Sequence, residues 1–199
     1  KSLKLSGIEI ESFQKRYYPL GEQAATLIGF SGRDGFGLEG LDYILDSELS
    51  GVPGKETIFR NASRRPKVTQ EPVQGLDKKL TIDSRVQFYA YKHLSSYVEA
   101  NNADGGSVIV LDNISGEILA IASYPSYNPN SPQRKIKRNR ALIDAFEPGS
   151  IIKPLAIAKG IDMGILVSDQ LIDTSPGFIN LSGKKVSDPK NYSNLTVKE

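Results

Sequence analysis

The sequence predicts an α+β fold in which helices cover an antiparallel sheet, and two features carry this prediction. Residues 107–111 and 117–122 are apolar runs on either side of a short polar turn, which is the pattern of a β-hairpin. Residues 83–98 place apolar and aromatic side chains on one face of the clearest predicted helix, with Asp83 or Ser84 as its N-cap. Because both hairpin runs are almost continuously apolar, we expect both strands to be buried on both faces.

The other predicted elements are shorter and lie between turns rich in glycine and proline. A polar stretch over residues 55–75 separates two parts of the chain, so we place a domain boundary near Gly75, with domains over residues 1–75 and 76–199. In chain order, the shorter elements are a strand around 3–10, a helix over 24–28, an amphipathic helix within 38–49, an edge hairpin of 57–59 with 67–69, a strand over 80–82, a helix over 139–146, a helix from Ser150 to Gly160 or Gly164, and hairpin-like segments after 165.

Composition excludes several classes of function. The net charge of +2 gives no support for nucleic-acid binding, and we interpret the basic residues 134–140 as a solvated loop. The sequence has no cysteine, which excludes disulfides, thiolate zinc sites and cysteine nucleophiles. The single histidine, His93, falls inside the helical pattern with Tyr89 and Tyr97, and we interpret all three side chains as core packing. No metal or cofactor site is predicted.

The sequence shows no segment that would hold it in a membrane. No apolar run approaches the roughly 20 residues that a membrane-spanning helix needs, and no signal peptide is present. The chain begins at Lys1 rather than at methionine, and we expect it to be a segment of a longer protein.

The strongest chemical signal is a serine and a lysine three residues apart, Ser150 and Lys153, directly after the Pro148-Gly149 turn. Serine becomes a nucleophile only when a base takes its proton, and an amine that is buried at a helix N-terminus can lose its own proton and act as that base. Residues three apart on a helix share a face, so Lys153 can reach the Ser150 hydroxyl. The backbone N–H of Ser150 is then free to stabilise an oxyanion.

The bare Ser-x-x-Lys pattern is not specific, because it also occurs at Ser12 and at Ser182. Ser12 lies beside a strand-like run, and Ser182 lies in a turn, so only Ser150 combines a turn with the start of a helix. A role for Ser150 as a simple helix cap explains the same context equally well.

The surroundings of Ser150 resemble class B penicillin-binding proteins, especially the cell-division (septal) peptidoglycan D,D-transpeptidases. The motif Phe146-Glu147-Pro148-Gly149-Ser150, followed by Lys153-Pro154, is similar to the family's Ser-x-x-Lys motif. The other similar stretches, in the family's order and spacing, are residues 16–21, 37–40, 80–83, 116–120, 125–129 and 138–140.

The resemblance implies a non-catalytic pedestal domain, whose C-terminal part is residues 1–75, and the N-terminal portion of a transpeptidase domain over residues 76–199. It implies that Ser150 is acylated by the D-Ala-D-Ala end of a peptidoglycan stem peptide, that Lys153 is the base, and that β-lactams acylate the same serine. It also implies other division and wall-synthesis proteins as partners. It further implies that a single N-terminal helix anchors the parent protein in the inner membrane, with the rest of that protein on the periplasmic side.

The sequence departs from the family pattern in two respects. Ile151 stands where the family commonly has threonine. No Lys-Thr-Gly or Lys-Ser-Gly occurs, and Ser126-Tyr127-Asn128, the only Ser-x-Asn, precedes the nucleophile instead of following it. We therefore expect this chain alone to be catalytically incompetent, with the Val108–Ala122 hairpin presenting an unpaired sheet edge.

Two other interpretations stay open. Residues 1–75 could serve as a non-catalytic interaction module of the division machinery, with Ser150 as only a cap. Alternatively, the chain could belong to a β-lactam sensor or a serine β-lactamase, which share the Ser-Lys pair.

Overall fold

The computed structural model describes residues 15–57, 67–131 and 135–199. It divides the chain into two compact units, one ending at Asp144 and the other over Ala145–Glu199. The strand predicted around residues 3–10 and the residues 58–59 of the predicted edge hairpin lie outside the described residues. The predicted domain boundary near Gly75 does not coincide with the division after Asp144, and it stays a prediction.

The first unit begins with short elements. The helix predicted over 24–28 is confirmed, and Gly29 ends it with a φ of 79°. The described part of the edge hairpin is also confirmed, since β3 and β4 pair antiparallel. The elements are a 3-10 turn (Gly21–Gln23), α1 (Ala25–Ile28), β1 (Phe30–Ser31), β2 (Gly37–Glu39), α2 (Gly40–Ile44), α3 (Asp46–Leu49), β3 (Lys55–Thr57) and β4 (Lys67–Gln70).

The single amphipathic helix predicted within 38–49 is wrong, because α2 and α3 are separate at Leu45. The carboxylate of Asp46 accepts a hydrogen bond from the backbone N–H of Gly37 at 2.7 Å and another from the Ser50 hydroxyl at 2.7 Å. An aspartate that bonds backbone groups outside the helix competes with a continuous helical ladder. The break leaves Ile44 exposed.

Tyr18 is the centre of one buried cluster in the first unit. Its hydroxyl donates to the carboxylate of Asp42 at 2.5 Å, and Arg16 donates to the same carboxylate at 2.9 Å. Burial and the bond to Asp42 raise the pKa of Tyr18. The side chain of Asn130 bonds both backbone groups of Tyr18, so the proline-rich loop after residue 124 holds the start of the described chain.

The second part of this unit contains the predicted helix and hairpin, as α4 (Ser84–Ala100), β5 (Gly106–Leu111) and β6 (Ile118–Tyr124). Asp83 is the N-cap of α4, as predicted, and its side chain accepts from the N–H groups of Arg85 and Val86. The strand predicted over 80–82 is wrong. Thr81 and Asp83 instead each donate one hydrogen bond to a carbonyl of β6, which ties the segment to the sheet without a regular ladder.

Burial in the hairpin differs between its strands. Residues 120–123 of β6 are all buried, which confirms the prediction for this part of the strand, whereas Ile118 is exposed. In β5 the side chains alternate, with Val108 packed beneath α4 and Ile109 exposed on the other face, so burial on both faces is wrong for β5. Helix α4 covers the face of the hairpin that carries Val108 and Ala122.

The aromatic face of α4 is also less buried than predicted. Leu94 and Val98 pack against Ala122 in the core, whereas Tyr89 and Tyr97 are 57% and 70% exposed. His93 is exposed as well. These three side chains line an open apolar groove beside β5, so their interpretation as core packing is wrong for this chain.

Gln87 is the one fully buried side chain of α4, and the pattern of apolar residues gave no sign of it. Its carboxamide nitrogen donates to the carbonyls of Gln23 at 2.6 Å and Ile121 at 2.9 Å, and its oxygen accepts from the N–H of Ile121 at 2.9 Å. It therefore satisfies both backbone groups of Ile121 as a neighbouring strand would.

The contact between Gln87 and Ile121 shows which edge of the hairpin has unpaired backbone groups. Since both peptide groups of Ile121 point toward Gln87, the facing pair Ile109–Ile121 is a non-hydrogen-bonded pair, and the peptide groups of Ile109 point to the outer edge of β5. In the described chain no other strand pairs with that edge. The predicted unpaired edge is thus present on β5, while side chains and the segment before α4 cover the edge of β6.

The second unit, every residue of which is described, consists of a 3-10 turn, one helix, one hairpin and a second antiparallel pair of strands that flanks the hairpin in sequence. The predicted helix ends before Gly164, whose φ is 69°. Gly177 is the only buried residue of this unit. The elements are a 3-10 turn (Gly149–Ile151), α6 (Ile152–Asp162), β7 (Leu171–Asp173) paired with β10 (Asn194–Thr196), and β8 (Phe178–Leu181) paired with β9 (Lys184–Ser187).

None of the helices in the described ranges combines the length and the apolar character needed to cross a membrane.

The Gln87→Ala substitution should lower the free energy of unfolding by about 3 kcal/mol, because it leaves the buried backbone groups of Ile121 and the half-buried carbonyl of Gln23 without partners. Urea denaturation of the 199-residue chain measures this. Gln74→Ala, which truncates an exposed glutamine of the same unit, should change the value by less than about 0.5 kcal/mol. Equal effects of the two substitutions would contradict a structural role for the Gln87 contacts.

Candidate active site

The segment that leads toward Ser150 begins with α5 (Arg140–Ile143). The predicted helix over 139–146 is confirmed in this shorter form, and Asp144 is its C-cap. The carboxylate of Asp144 accepts hydrogen bonds from the guanidinium groups of Arg138 and Arg140. The Arg138 guanidinium, and then that of Arg140, lower the pKa of Asp144.

Asn139 precedes α5 and is buried. Its carboxamide oxygen accepts a hydrogen bond from the hydroxyl of Ser123, in β6, at 3.1 Å. The interpretation of residues 134–140 as a solvated loop is therefore wrong for the buried Asn139 and the half-buried Arg140, whereas Lys135, Lys137 and Arg138 are exposed as predicted. Arg134 lies outside the described residues. The sequence did not reveal the Ser123–Asn139 contact, because these residues lie 16 positions apart with no shared pattern.

Ser150 lies in the 3-10 turn Gly149–Ile151, directly before α6. Gly149 has a φ of 55°, and a Cβ at this position would meet nothing within 4 Å. The glycine is therefore required by its left-handed backbone conformation and not by lack of space. The turn that the sequence predicted before the helix is confirmed.

The side chain of Ser150 is exposed and does not cap the helix. The N-cap positions of the 3-10 turn and of α6 are Pro148 and Ile151, and neither end has a side-chain cap. Within the described residues, no hydrogen bond uses the backbone N–H of Ser150. The capping interpretation thus has no contact to support it, and the N–H remains available for an incoming oxygen.

Lys153 follows in the first turn of α6, where Pro154 is tolerated because the first N–H groups of a helix have no internal acceptor. In a 3-10 turn, residues three apart lie one above the other, so the turn and the helix bring Ser150 and Lys153 to the same side of the chain. In this fully described unit, no hydrogen bond joins the two side chains. Lys153 is exposed, so the burial expected for this amine is absent, since no residue of the unit lies over it.

The competing serine–lysine patterns fall elsewhere. Ser12 lies outside the described residues. Ser182 and Gly183 form the two-residue connection between β8 and β9, with φ values of 48° and 79°. These angles are typical of a hairpin turn, which gives Ser182 a local structural reason for its position.

Among the residues that the structure describes, no three histidine, cysteine, aspartate or glutamate side chains are grouped to hold a metal ion. The chemistry available at this site is that of a hydroxyl, an amine and backbone N–H groups at the positive end of α6.

Comparison with known proteins identifies the surroundings of Ser150. The family model described as the penicillin binding protein transpeptidase domain matches residues 106–199. The chain belongs to the penicillin-binding protein transpeptidase family.

Curated relatives match almost the whole chain. The peptidoglycan D,D-transpeptidase FtsI of Escherichia coli K12 is 36% identical over 206 residues, which cover 99% of this chain and 34% of the relative. FtsI of Buchnera aphidicola subsp. Schizaphis graminum is 37% identical over 203 residues, which cover 99% of this chain and 35% of the relative. The chain spans about a third of the length of the curated relatives it matches.

Solved structures of the family share the fold. Penicillin binding protein 3 of Mycobacterium tuberculosis matches with a TM-score of 0.70 and 30% identity, covering 90% of this chain and 38% of that one. A peptidoglycan synthetase of Bifidobacterium adolescentis matches with a TM-score of 0.71 and 29% identity, covering 91% of this chain and 34% of that one. The predicted α+β class is confirmed, because the chain combines helices with small antiparallel sheets and matches structures of the transpeptidase family.

The Gly149→Ala substitution should weaken the turn before α6 by about 1 kcal/mol, because an L-residue with a side chain resists the left-handed conformation. Amide hydrogen exchange of residues 149–155 should then be about fivefold faster. Gly149→Asn, the matched control, should show a smaller change because asparagine tolerates positive φ. Equal exchange in the two variants would contradict a conformational requirement for glycine.

Proposed function

We propose that the protein carrying this chain is a peptidoglycan D,D-transpeptidase, which cross-links stem peptides in septal wall synthesis through an acyl-enzyme on Ser150. The observation that carries the proposal is the position of Ser150: an exposed hydroxyl in a turn at the start of α6, with Lys153 three residues later, in a member of the transpeptidase family. The names of the relatives support the same reaction.

In the acylation step, the hydroxyl oxygen of Ser150 attacks the carbonyl carbon between the two terminal D-alanines of a stem peptide. Lys153 takes the hydroxyl proton as general base and transfers it to the leaving amine as the C–N bond breaks, which releases D-alanine. The N–H of Ser150, at the positive end of α6, stabilises the negative charge on the carbonyl oxygen.

In the second step, the amine of a neighbouring stem peptide attacks the ester carbonyl. The ester C–O bond breaks, a new amide bond forms, and the proton of the amine returns through Lys153 to Ser150. β-Lactams follow the first step with their ring amide, so that the opened ring stays attached to the serine. A relative, penicillin binding protein 3 of M. tuberculosis, has been solved in complex with aztreonam, which contains such a ring.

The reaction places the protein on the periplasmic side of the inner membrane, where its peptidoglycan substrate is, held there by an N-terminal helix. In this arrangement, residues 1–75 belong to a pedestal domain that contacts other division proteins, and residues 76–199 belong to the transpeptidase domain. The cell-division role is supported by the relatives named FtsI.

The Ser150→Ala substitution in the full-length protein should abolish labelling by a fluorescent penicillin, because no oxygen remains to form the ester. Labelled protein is quantified on a gel, and the modified peptide is assigned by mass spectrometry. Ser182→Ala is the matched control, since Ser182 has a lysine at the same spacing in a hairpin turn, and it should label as the wild type does.

The outcomes separate the competing functions. Labelling that persists in Ser150→Ala would refute Ser150 as the nucleophile. A folded wild-type protein that does not label at all would favour the non-catalytic interaction module. Rapid release of hydrolysed penicillin by the wild-type protein would favour a β-lactamase.

The 199-residue chain alone should label at least about 100-fold more slowly than the full-length protein. The physical reason is that Ser150 and Lys153 are both exposed in this unit, so water surrounds the amine and competes with the oxyanion contacts. The initial rate of labelling by the same fluorescent penicillin measures this. Rapid, stoichiometric labelling of Ser150 in the chain alone would contradict the expectation.

A further inference from the structure

The outer edge of β5, in the first unit, carries nothing that would hinder pairing with another strand. The peptide groups of Ile109 point outward, and in the described chain no strand pairs with them. Strand edges that stay free in native proteins often carry a charged residue or a proline, which blocks pairing. Strand β5 (Gly106–Leu111) has neither, so its edge can accept another extended strand.

The apolar groove of α4 lies directly beside this edge. Helix α4 lies mainly above β6, which leaves the outer side of β5 less covered. Val108 and Val110 form the base of the groove, and Tyr89, His93 and Tyr97 form its side. The rings of Tyr89 and His93 are stacked, with centroids 6.3 Å apart. The edge and the groove form one continuous surface, which we call the β5 face.

The β5 face is complementary to itself. In an antiparallel pair centred on Ile109, each Ile109 donates its N–H to the carbonyl of Ile109 in the other copy. This register places Val108 of one copy opposite Val110 of the other, and both side chains lie on the side of the sheet that carries the groove. Pairs of β-branched residues directly across two strands stabilise a sheet. Two copies related by a twofold axis would thus join their grooves above one four-stranded sheet.

The spacing of the two α4 helices fits the aromatic side chains between them. In this arrangement the two β6 strands lie three strand spacings apart, which is about 14 Å. Helices that pack directly on one another lie about 8–10 Å apart. Since α4 lies mainly above β6, the two helices are farther apart than that, and Tyr89, His93 and Tyr97 of each copy have the size to fill the space.

The exposed area sets the expected strength of this contact. Tyr89 and Tyr97 are 57% and 70% exposed, and a tyrosine buries about 200 Å², so these residues of two copies can bury about 500 Å² together. Specific interfaces bury about 1,200–2,000 Å² in total. The paired strands and the other groove side chains add to the tyrosines and bring the contact near the lower end of that range. We therefore expect a weak association, with a Kd of about 10–100 µM.

We propose that two copies of this chain form a symmetric dimer by antiparallel pairing of β5 with β5. Gln87 and the segment before α4 cover the other edge of the hairpin, so each copy offers one hairpin edge and the pairing closes at two copies. The inference does not depend on the proposed function, because the β5 face belongs to the first unit and Ser150 belongs to the second.

Sedimentation equilibrium of the 199-residue chain, at concentrations from about 5 to about 200 µM, measures the association. Ile109→Pro removes the outward N–H but no hydrogen bond within the hairpin, so the fold should remain while the Kd rises at least about 10-fold. Ile109→Val keeps the N–H and the branched side chain, and its Kd should stay within about twofold of the wild-type value. Hydrogen exchange of the Ile109 N–H should slow as the wild-type concentration rises.

Tyr97→Lys tests the groove without a change in the strand. Tyr97 is exposed on α4, so the substitution leaves the core intact, but it removes the ring and brings a cation into the contact between the copies. The Kd should again rise at least about 10-fold, because a buried aromatic ring is a main source of binding energy. Tyr43→Lys, at a tyrosine of the same unit that is 65% exposed in α2, is the matched control and should leave the Kd within about twofold.

A wild-type chain that sediments as a monomer at about 200 µM would overturn the proposal. An assembly that Ile109→Pro and Tyr97→Lys leave unchanged, or one that grows beyond two copies, would overturn it as well. If Ile109→Pro does not fold, as judged by circular dichroism, Tyr97→Lys and the exchange of the Ile109 N–H decide the outcome. Failure of the proposed function is distinguishable, because it concerns penicillin labelling of Ser150 and would leave the sedimentation results unchanged.

Discussion

The hydrogen bonds between Gln87 and Ile121 are the constraint on which the first unit depends. Strand β6 has a pairing strand on one edge only, so the peptide groups on its other edge need partners from elsewhere. The carboxamide of Gln87 supplies both partners for Ile121 and also bonds Gln23, so one side chain fixes α4, the sheet and the turn before α1 to one another. Two residues later, the same strand provides Ser123, which holds α5.

The sequence predicted those elements that depend on local pattern. The hairpin, the long helix with Asp83 as its N-cap, the short helix before Gly29 and the turn before α6 follow from periodicity or from a turn residue, and all four are confirmed. It did not predict the buried polar contacts of Gln87 and Ser123. A polar residue within a mainly apolar segment carries no sign of its partner when that partner lies far along the chain.

At the candidate site, too, the local features could be predicted and the contacts with distant residues could not. The Pro-Gly turn distinguished Ser150 from Ser182, and the structure has each in the predicted local setting. The burial of Lys153 could not be predicted, because desolvation depends on whatever packs around the amine and not on its spacing from the serine. Helix α6 carries apolar side chains that remain exposed, such as Leu155 at 64%. Helices with apolar side chains on every side are usually covered by other elements.

The size of α5 decides what sets its direction. A helix of four residues has too few internal hydrogen bonds to be stable alone, because the entropy cost of its first turn is not recovered by later turns. Its orientation is therefore determined by the side chains bound at its two ends, Ser123 with Asn139 and Asp144 with its arginines. A longer helix would hold its axis through its own backbone and would tolerate the loss of one end. In α5 both ends depend on such side chains, so the direction of this helix is set by specific polar contacts and not by helix propensity.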